Sequence, residues 1–306
     1  MSNNRKLEAT FKSQDTEEWL DVHFTRPLGL LWANFFNRFN VHPNVVTVLS
    51  IILGAAAGVM FYYPDLVHTC IGILLLVWAN IYDSTDGQMA RMTGKKTRWG
   101  RILDGFAGDV WFFTIYFFIC LRLTPVWGVW IWLMAAVSGF VCHARQCQLA
   151  DYYRNVHLYF LKGESGSELD SYERLREEFR ALPWRGNLVW KVFLFSYGNY
   201  TRTQEQMTPA FQALKRALAA RFGRRLPMRL RDDFRAGSLP LMKYANILTF
   251  NTRAIFLYAV LLLGVPWVYF VFELTVMNVL LLYLRARHES LCRRIHSQLD
   301  TYETAV

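Results

Sequence analysis

The chain has 306 residues, of which 53% are hydrophobic and 16% are aromatic, and it carries a formal net charge of +10. Its mean hydropathy of +0.14 is high for a soluble protein and low for one buried wholly in lipid. The composition therefore predicts a helical membrane bundle joined to a sizeable aqueous part. The positive charge would attract anionic membrane lipids or an anionic substrate. Nucleic acid is disfavoured as a partner, because no recognised nucleic-acid-binding module accompanies the charge.

The first predicted element is an amphipathic segment over residues 14–39, in which tryptophan, phenylalanine and leucine are mixed with charged residues. This mixture is typical of a helix that lies in the membrane interface. A break follows at His42, and Pro43 is well placed as an early residue of the next helix. We therefore expect an interfacial helix that leads into the first membrane span.

Six apolar windows, each roughly 20 residues long, predict six transmembrane helices and an all-α, polytopic fold. The fifth window is the most polar, since it contains Lys243, Asn246, Asn251 and Arg253, and one side of it should face the bundle interior. The windows run over residues 44–63, 66–82, 105–123, 126–147, 242–263 and 266–284.

The loop between the second and third windows is basic, whereas the turns at the opposite ends of the windows are nearly uncharged. Basic loops face the cytoplasm. With six spans, both termini and this loop are therefore expected on the cytoplasmic side. The basic residues of the loop are Arg91, Lys95, Lys96, Arg98 and Arg101.

The connection between the fourth and fifth windows is too long for a simple turn. Its last part, residues 215–235, contains eight Lys or Arg residues, which either contact anionic lipid or form a solvated face. The expected organisation has four parts. These are an interfacial segment (1–40), spans one to four (41–150), a cytoplasmic basic insert (151–240), and spans five and six with a cytoplasmic tail (241–306).

Acidic residues are concentrated where the second window ends and the third begins. Asp83 and Asp86 are three residues apart and share a helical face, and Asp104 opens the next helix. Ionised carboxylates near hydrocarbon are costly unless they bind a cation or face a polar cavity. Hard oxygen ligands favour Mg²⁺ or Mn²⁺, expected here as a pair of ions. Arg91, one turn beyond Gly87, can hold a phosphate with its planar guanidinium.

These residues resemble the signature of the CDP-alcohol phosphotransferase (CDP-alcohol phosphatidyltransferase) family, D-x2-D-G-x2-A-R-x8-G-x3-D-x3-D. Pro43, Asn44 and Thr47 are similar to the start of that family's first span. The resemblance covers roughly residues 41–149 and leaves the insert unexplained. The positions that match the signature are Asp83, Asp86, Gly87, Ala90, Arg91, Gly100 and Asp104.

The resemblance implies an integral-membrane enzyme of phospholipid or sphingolipid headgroup synthesis. Such an enzyme transfers a substituted phosphate from a CDP-alcohol to an acceptor hydroxyl and releases CMP. The donor is CDP-diacylglycerol or a CDP-linked headgroup, the acceptor is a lipid or a polar alcohol, and the enzyme is a homodimer. Asp83, Asp86 and Asp104 would bind the metal, and Asp104 would also take part in catalysis. The resemblance places the CDP moiety along Asn44, Thr47, Gly87, Ala90, Arg91 and Gly94.

One position departs from the signature. The family's last aspartate, a metal ligand and candidate base, falls where this chain has Gly108, and the carboxylate comes one residue later at Asp109. A one-residue shift turns a side chain by about 100° on a regular helix. We expect a π-bulge near Gly105 or Gly108 to bring Asp109 into the site as fourth ligand and base. Otherwise another group activates the acceptor.

Polar residues at the same membrane depth predict an acceptor pocket formed by Arg145, Lys243, Asn246 and Arg253. The simpler alternative is that these side chains pair with each other or with lipid headgroups.

Two other functions are consistent with parts of the pattern. A catalytically degenerate member of the family would bind lipid or nucleotide without turnover, with Gly108 as its defect. A membrane prenyltransferase also uses aspartates near magnesium, and Asn80, Asp83 and Asp86 loosely resemble its motif. That class needs further spans and a second aspartate motif, and neither is visible in the sequence.

Overall fold

The computed structural model of the chain describes residues 13–95, 97–163, 167, 169–223 and 225–302. Lys96 and the side chains of Arg98 and Arg101, all part of the predicted basic loop, lie outside this description. The first twelve residues of the interfacial segment and the last four of the tail also lie outside it. Every regular element among the described residues is helical, which confirms the all-α prediction.

The helices follow one another with short connections, and the described residues include three π-helical turns that adjoin them. The π turns are Asp21–Thr25, Val137–His143 and Glu273–Met277. In chain order the helices are α1 (Arg26–Arg38), α2 (Pro43–Met60), α3 (Leu66–Thr93), α4 (Arg98–Trp127), α5 (Val129–Ala136), α6 (Ala144–Lys162), α7 (Tyr172–Ala181), α8 (Leu188–Met207), α9 (Pro209–Phe222), α10 (Met228–Ile247), α11 (Phe250–Leu262), α12 (Trp267–Phe272) and α13 (Asn278–Ser297).

Two compact units share these helices, and each mixes segments that are distant in sequence. The first unit contains Met1–Ala144 and Phe250–Val276, and the second contains Arg145–Thr249 and Met277–Val306. The four-part organisation expected from the sequence stays a prediction.

Local capping fixes the ends of the helices that carry the acidic motif. Asp65 caps α3 by accepting a hydrogen bond from the backbone N–H of His68 at 3.1 Å. The same helix ends at Gly94, whose φ of +68° lies in the left-handed region that favours glycine. Thr97 then caps α4 through the N–H of Gly100 at 2.9 Å. The short connection therefore brings the end of α3 and the start of α4 together.

Small residues let α2 pack closely against α4 in the first unit. A Cβ added to Gly58 would lie 2.8 Å from the backbone carbon of Thr114. The indole N–H of Trp111 donates to the carbonyl of Ser50 at 3.0 Å. Close backbone approach through small residues is a common form of helix packing in membranes. The apolar core around this contact includes Ala57, Phe61, Leu76, Ile115, Tyr269 and Phe270.

Five helical segments of the described chain are long and apolar enough to cross a membrane, which indicates an integral membrane protein. The predicted fourth window, residues 126–147, is not among them, and the helix is interrupted inside this window at Gly128, whose φ is +56°. The count of six spans therefore stays a prediction. The five segments are Pro43–Met60, Leu66–Thr93, Leu103–Trp127, Met228–Leu262 and Trp267–Ser297.

The predicted interfacial segment contains a helix with large apolar side chains exposed. Leu31 and Phe35 of α1 are exposed, while Gly29 and Ala33 are buried. Its place in the membrane interface stays a prediction.

The second unit has an apolar core of its own, to which the predicted basic insert contributes helices. Phe160 and Phe234 stack with ring centroids 3.6 Å apart. The buried carboxylate of Glu289 accepts the backbone N–H of Ala210 at 2.7 Å and thereby caps α9. Buried side chains here also include Phe211, Leu214, Leu218, Leu230, Leu291 and Ile295. Residues 151–240 are therefore a folded part of the chain in their described portion.

Candidate metal centre

Three carboxylates of the acidic motif converge in the first unit. Asp83 and Asp86 lie in the last turns of α3 and Asp104 lies in the first turns of α4, and each offers an oxygen within 4.8 Å of the others. Asp86 is only 4% exposed, and its Oδ2 has no hydrogen-bond partner. A buried carboxylate oxygen without a partner is costly unless a cation binds it. The three residues therefore fit a hard divalent cation.

Polar residues at the start of α2 stand beside these carboxylates. Thr47 lies close enough to Asp86 to interact with its carboxylate. Asn44 comes near the start of α4, since a Cβ added to Gly100 would lie 3.0 Å from the Asn44 Oδ1. Glycine at this position therefore lets α4 approach α2 next to the three aspartates.

The last turns of α3 also contain an arginine and a surface formed by small residues. The Arg91 guanidinium folds back over Gly87, because a Cβ added to Gly87 would lie 3.3 Å from Arg91 Nη1. The Nε of Arg91 is buried and has no hydrogen-bond partner. Ala90 lies on the turn between these residues, and Gly94 ends the helix. This surface thus combines small residues with a donor that fits a phosphate oxygen.

Asp109 is not part of the group of three carboxylates. The expected π-bulge near Gly105 or Gly108 is wrong, because the described backbone of α4 is a regular α-helix across both glycines. Five residues of a regular helix separate Asp104 from Asp109, which turns the two side chains about 140° apart. Asp109 is exposed and interacts electrostatically with His143. Its assignment as fourth ligand and base stays a prediction.

The predicted acceptor residues are divided between the two units. Arg145, Lys243 and Asn246 belong to the second unit, and Arg253 belongs to the first. The Asn246 amide oxygen accepts two hydrogen bonds from Arg154, at 2.8 and 2.6 Å. Arg145 and Lys243 are exposed. The common acceptor pocket stays a prediction.

Arg253 forms an ion pair with Glu273 that sequence reasoning did not identify. Both side chains are 0% exposed, and Nδ1 of His143 lies 2.9 Å from Glu273 Oε1. Hydroxyl donors complete the network, since Tyr269 and Ser138 each lie 2.8 Å from a Glu273 oxygen. A carboxylate inside an apolar window was the signal available in the sequence. In the structure, Arg253 thus balances a buried charge.

The N-terminal segment brings a further carboxylate towards the three aspartates. The carboxylate of Asp21 lies close enough to Asp83 for the two charges to repel. Asn251 of α11 holds this segment, because its side-chain amide donates to Glu18 at 2.7 Å and to Asp21 at 2.9 Å. The sequence offered no signal for this contact, since the residues that make it are more than 200 positions apart.

A membrane protein with three convergent carboxylates, a partly buried arginine and a small helical surface beside them has the elements of a divalent-metal and phosphate site. Residues 40–156 match the model of the family described as CDP-alcohol phosphatidyltransferase. The chain is therefore similar to this family over that segment, which is less than half of its length.

Three relatives match parts of the same chain. An uncharacterized protein of Aquifex aeolicus (strain VF5) is 35% identical over 24% of this chain and 35% of its own length. A bifunctional IPC transferase and DIPP synthase of the same organism is 29% identical over 32% of this chain and 22% of its own. A phosphatidylinositol phosphate synthase of Streptomyces avermitilis is 34% identical over 34% of this chain and 41% of its own. The matches thus span less than half of each relative.

Proposed function

We propose that this protein is a CDP-alcohol phosphotransferase that moves a substituted phosphate from a CDP-linked donor to an acceptor hydroxyl and releases CMP. The observation that carries the proposal is the convergence of three carboxylates within the segment that matches this family's model. Its products are phospholipids or related phosphorylated lipids. The active site faces the cytoplasm and the protein works as a homodimer, as the positive-inside pattern and the family resemblance favour.

In this proposal Asp83, Asp86 and Asp104 hold Mg²⁺ or Mn²⁺, as a pair of ions. The bound metal would neutralise negative charge on the phosphoryl oxygens as the bond to CMP breaks. The carboxylates also repel one another without a cation, so the site is prepared to bind one.

The nucleotide would lie along the small surface at the end of α3. Gly87 and Ala90 leave space for it, and Arg91 donates to a phosphate oxygen. Asn44 and Thr47 of α2 contact the donor from the other side, and Gly94 lets the chain turn away beyond it.

The acceptor would be a polar alcohol or a lipid. One relative's name refers to a phosphatidylinositol phosphate product, which favours testing phosphorylated polar alcohols first. Arg145, Lys243, Asn246 and Arg253 are the proposed acceptor residues, and Asp109 is the proposed base. The exposed basic residues of the insert would contact anionic lipids.

A catalytically degenerate family member is the second candidate. The observation that favours it is the position of Asp109 outside the group of three carboxylates. Such a protein would bind a CDP-linked lipid without releasing CMP.

The test is a panel of CDP-linked donors and alcohol acceptors, supplied to the purified protein in liposomes with Mg²⁺ or Mn²⁺. We expect CMP release with at least one pair and a new lipid by mass spectrometry. Tight CDP binding with no CMP release for any pair would favour the degenerate member. Asp109→Ala tests the base separately, because near-normal turnover in this variant would remove Asp109 from the mechanism and leave the metal site intact.

A further inference from the structure

Arg26, the first residue of α1, forms a two-point ion pair with Glu17. Its Nε donates to Glu17 Oε2 at 2.7 Å, and its Nη2 donates to Glu17 Oε1 at 2.9 Å. The arginine and glutamate side chains are only 16% and 7% exposed. Two parallel hydrogen bonds of this kind match the geometry with which a guanidinium binds a phosphate.

The backbone of Arg26 is fixed against α3 beside the proposed metal centre. The side chain of Gln88 donates to the Arg26 carbonyl at 3.1 Å. A Cβ added to Gly29 would lie 2.7 Å from Gln88 Nε2, so α1 crosses α3 at close range. Gln88 is three residues before Arg91, on the helix that carries two of the aspartates. Arg26 therefore stands next to the phosphate-binding surface.

The charged residues of the N-terminal segment, Glu17 and Arg26, lie close enough to Arg91 of α3 to interact with it electrostatically. The charges of Arg26, Glu17, Asp86 and Asp104 all act on Arg91. Two guanidinium groups this close repel, and a carboxylate or another anion beside them offsets the repulsion. Glu17 supplies one such anion, while the buried Nε of Arg91 still has no partner. A phosphate group between the two arginines would accept hydrogen bonds from both.

We propose that Arg26 is a second phosphate-binding arginine of the site, and that Glu17 is the carboxylate that pairs with it until phosphate takes its place. This inference rests on the proposed function for the identity of the ligand. The phosphate belongs either to the diphosphate of the CDP-linked donor or to a phosphorylated acceptor. The N-terminal segment would in either case be part of the active site, outside the family's signature residues.

The test measures dissociation constants of CDP and of inorganic phosphate for the full-length protein in detergent with Mg²⁺. Arg26→Gln should weaken binding of one of these ligands about tenfold or more, because it removes charge-assisted hydrogen bonds. Arg26→Lys should weaken binding of the same ligand several-fold, because lysine keeps the positive charge but cannot form two parallel hydrogen bonds. Glu17→Gln should bind the same ligand about two- to fivefold more tightly, because the phosphate no longer displaces a carboxylate.

The matched control is Arg221→Gln, which removes an arginine from the ion pair with Asp300 in the second unit. It should leave both constants unchanged. Weaker CDP binding in Arg26→Gln assigns Arg26 to the donor diphosphate. Unchanged CDP binding with weaker phosphate binding assigns it to the acceptor.

Unchanged constants for both ligands in folded Arg26→Gln would overturn the proposal. If Arg26→Gln does not fold, the proposal is tested with Arg26→Lys and Glu17→Gln. Dissociation constants equal to those of the wild type in both variants would overturn the proposal. CMP release is scored separately. Binding that depends on Arg26 without CMP release contradicts the proposed function alone, whereas CMP release with unchanged constants contradicts the role of Arg26 alone.

Discussion

Asp86 destabilises the ligand-free fold but is suited to bind a cation. Its carboxylate is 4% exposed, has one oxygen without a partner, and lies close to Asp83 and Asp104. Desolvation and like-charge repulsion both disfavour the ionised form of such a group in the absence of a cation. A site of this kind sacrifices stability of the ligand-free fold for cation binding.

Asp86→Asn should therefore change the response to metal more than the fold. Without divalent cations the variant should melt at or above the wild-type temperature, because a repelling charge is gone. With Mn²⁺ the wild type should gain thermal stability and the variant should not. Thermal unfolding in detergent with and without Mn²⁺ measures both effects. An equal stabilisation of the variant by Mn²⁺ would mean that the metal binds elsewhere.

Arg253 and Glu273 make an opposite case, in which a buried charge is already balanced. Arg253→Met leaves the Glu273 carboxylate uncompensated, and breaking such a pair costs about 3–5 kcal/mol. The double variant Arg253→Met, Glu273→Gln should recover part of that loss, because it removes the uncompensated charge while the glutamine oxygen still accepts hydrogen bonds from the Tyr269 and Ser138 hydroxyls. Equilibrium unfolding of the two variants in detergent measures the difference. An Arg253→Met variant as stable as the wild type would show that the pair does not support the fold.

At the scale of elements, the approach of α2 to α4 holds the start of α4 beside the metal centre. Gly58→Ala should destabilise the protein by about 1–3 kcal/mol, because its Cβ would press on the backbone of Thr114. Gly105→Ala is the matched control, since a Cβ there meets nothing within 4 Å. It should be neutral or stabilise α4 by up to about 1 kcal/mol. Melting temperatures compare the two, and equal values would contradict the close contact.

Sequence patterns predicted the elements whose determinants are local. The spacing of Asp83, Asp86 and Asp104 placed them on two helix ends, and the structure brings them together. The Glu17–Arg26 pair could not be found in this way, because its relation to the site depends on a contact between Arg26 and Gln88, 62 positions later. The prediction of a bulge near Asp109 was wrong because it rested on glycine content alone. Glycine permits a bulge, but the regular hydrogen bonds of α4 continue through it.

At the scale of the whole molecule, the chain combines a segment similar to the family model, residues 40–156, with a folded insert that the family resemblance does not explain. The insert and the last helix share a core, with Phe211 and Leu291 among its buried residues. Leu218→Asp should therefore unfold this unit, because it buries an unpaired charge. Limited proteolysis should then cleave within residues 151–240 before other sites. Wild-type protection of these residues would contradict a core of this composition.

The central claim is that Asp83, Asp86 and Asp104 bind the divalent cation on which transfer from a CDP-alcohol depends. The most direct measurement is CMP release in liposomes by the wild type, by Asp83→Asn and by Asp65→Asn, each with Mg²⁺ or with EDTA. Asp65 lies at the other end of α3, and asparagine preserves its helix cap. We predict release that requires metal in the wild type and in Asp65→Asn, and a loss of at least about a hundredfold in Asp83→Asn. Metal-dependent release by Asp83→Asn at the wild-type rate would contradict the account.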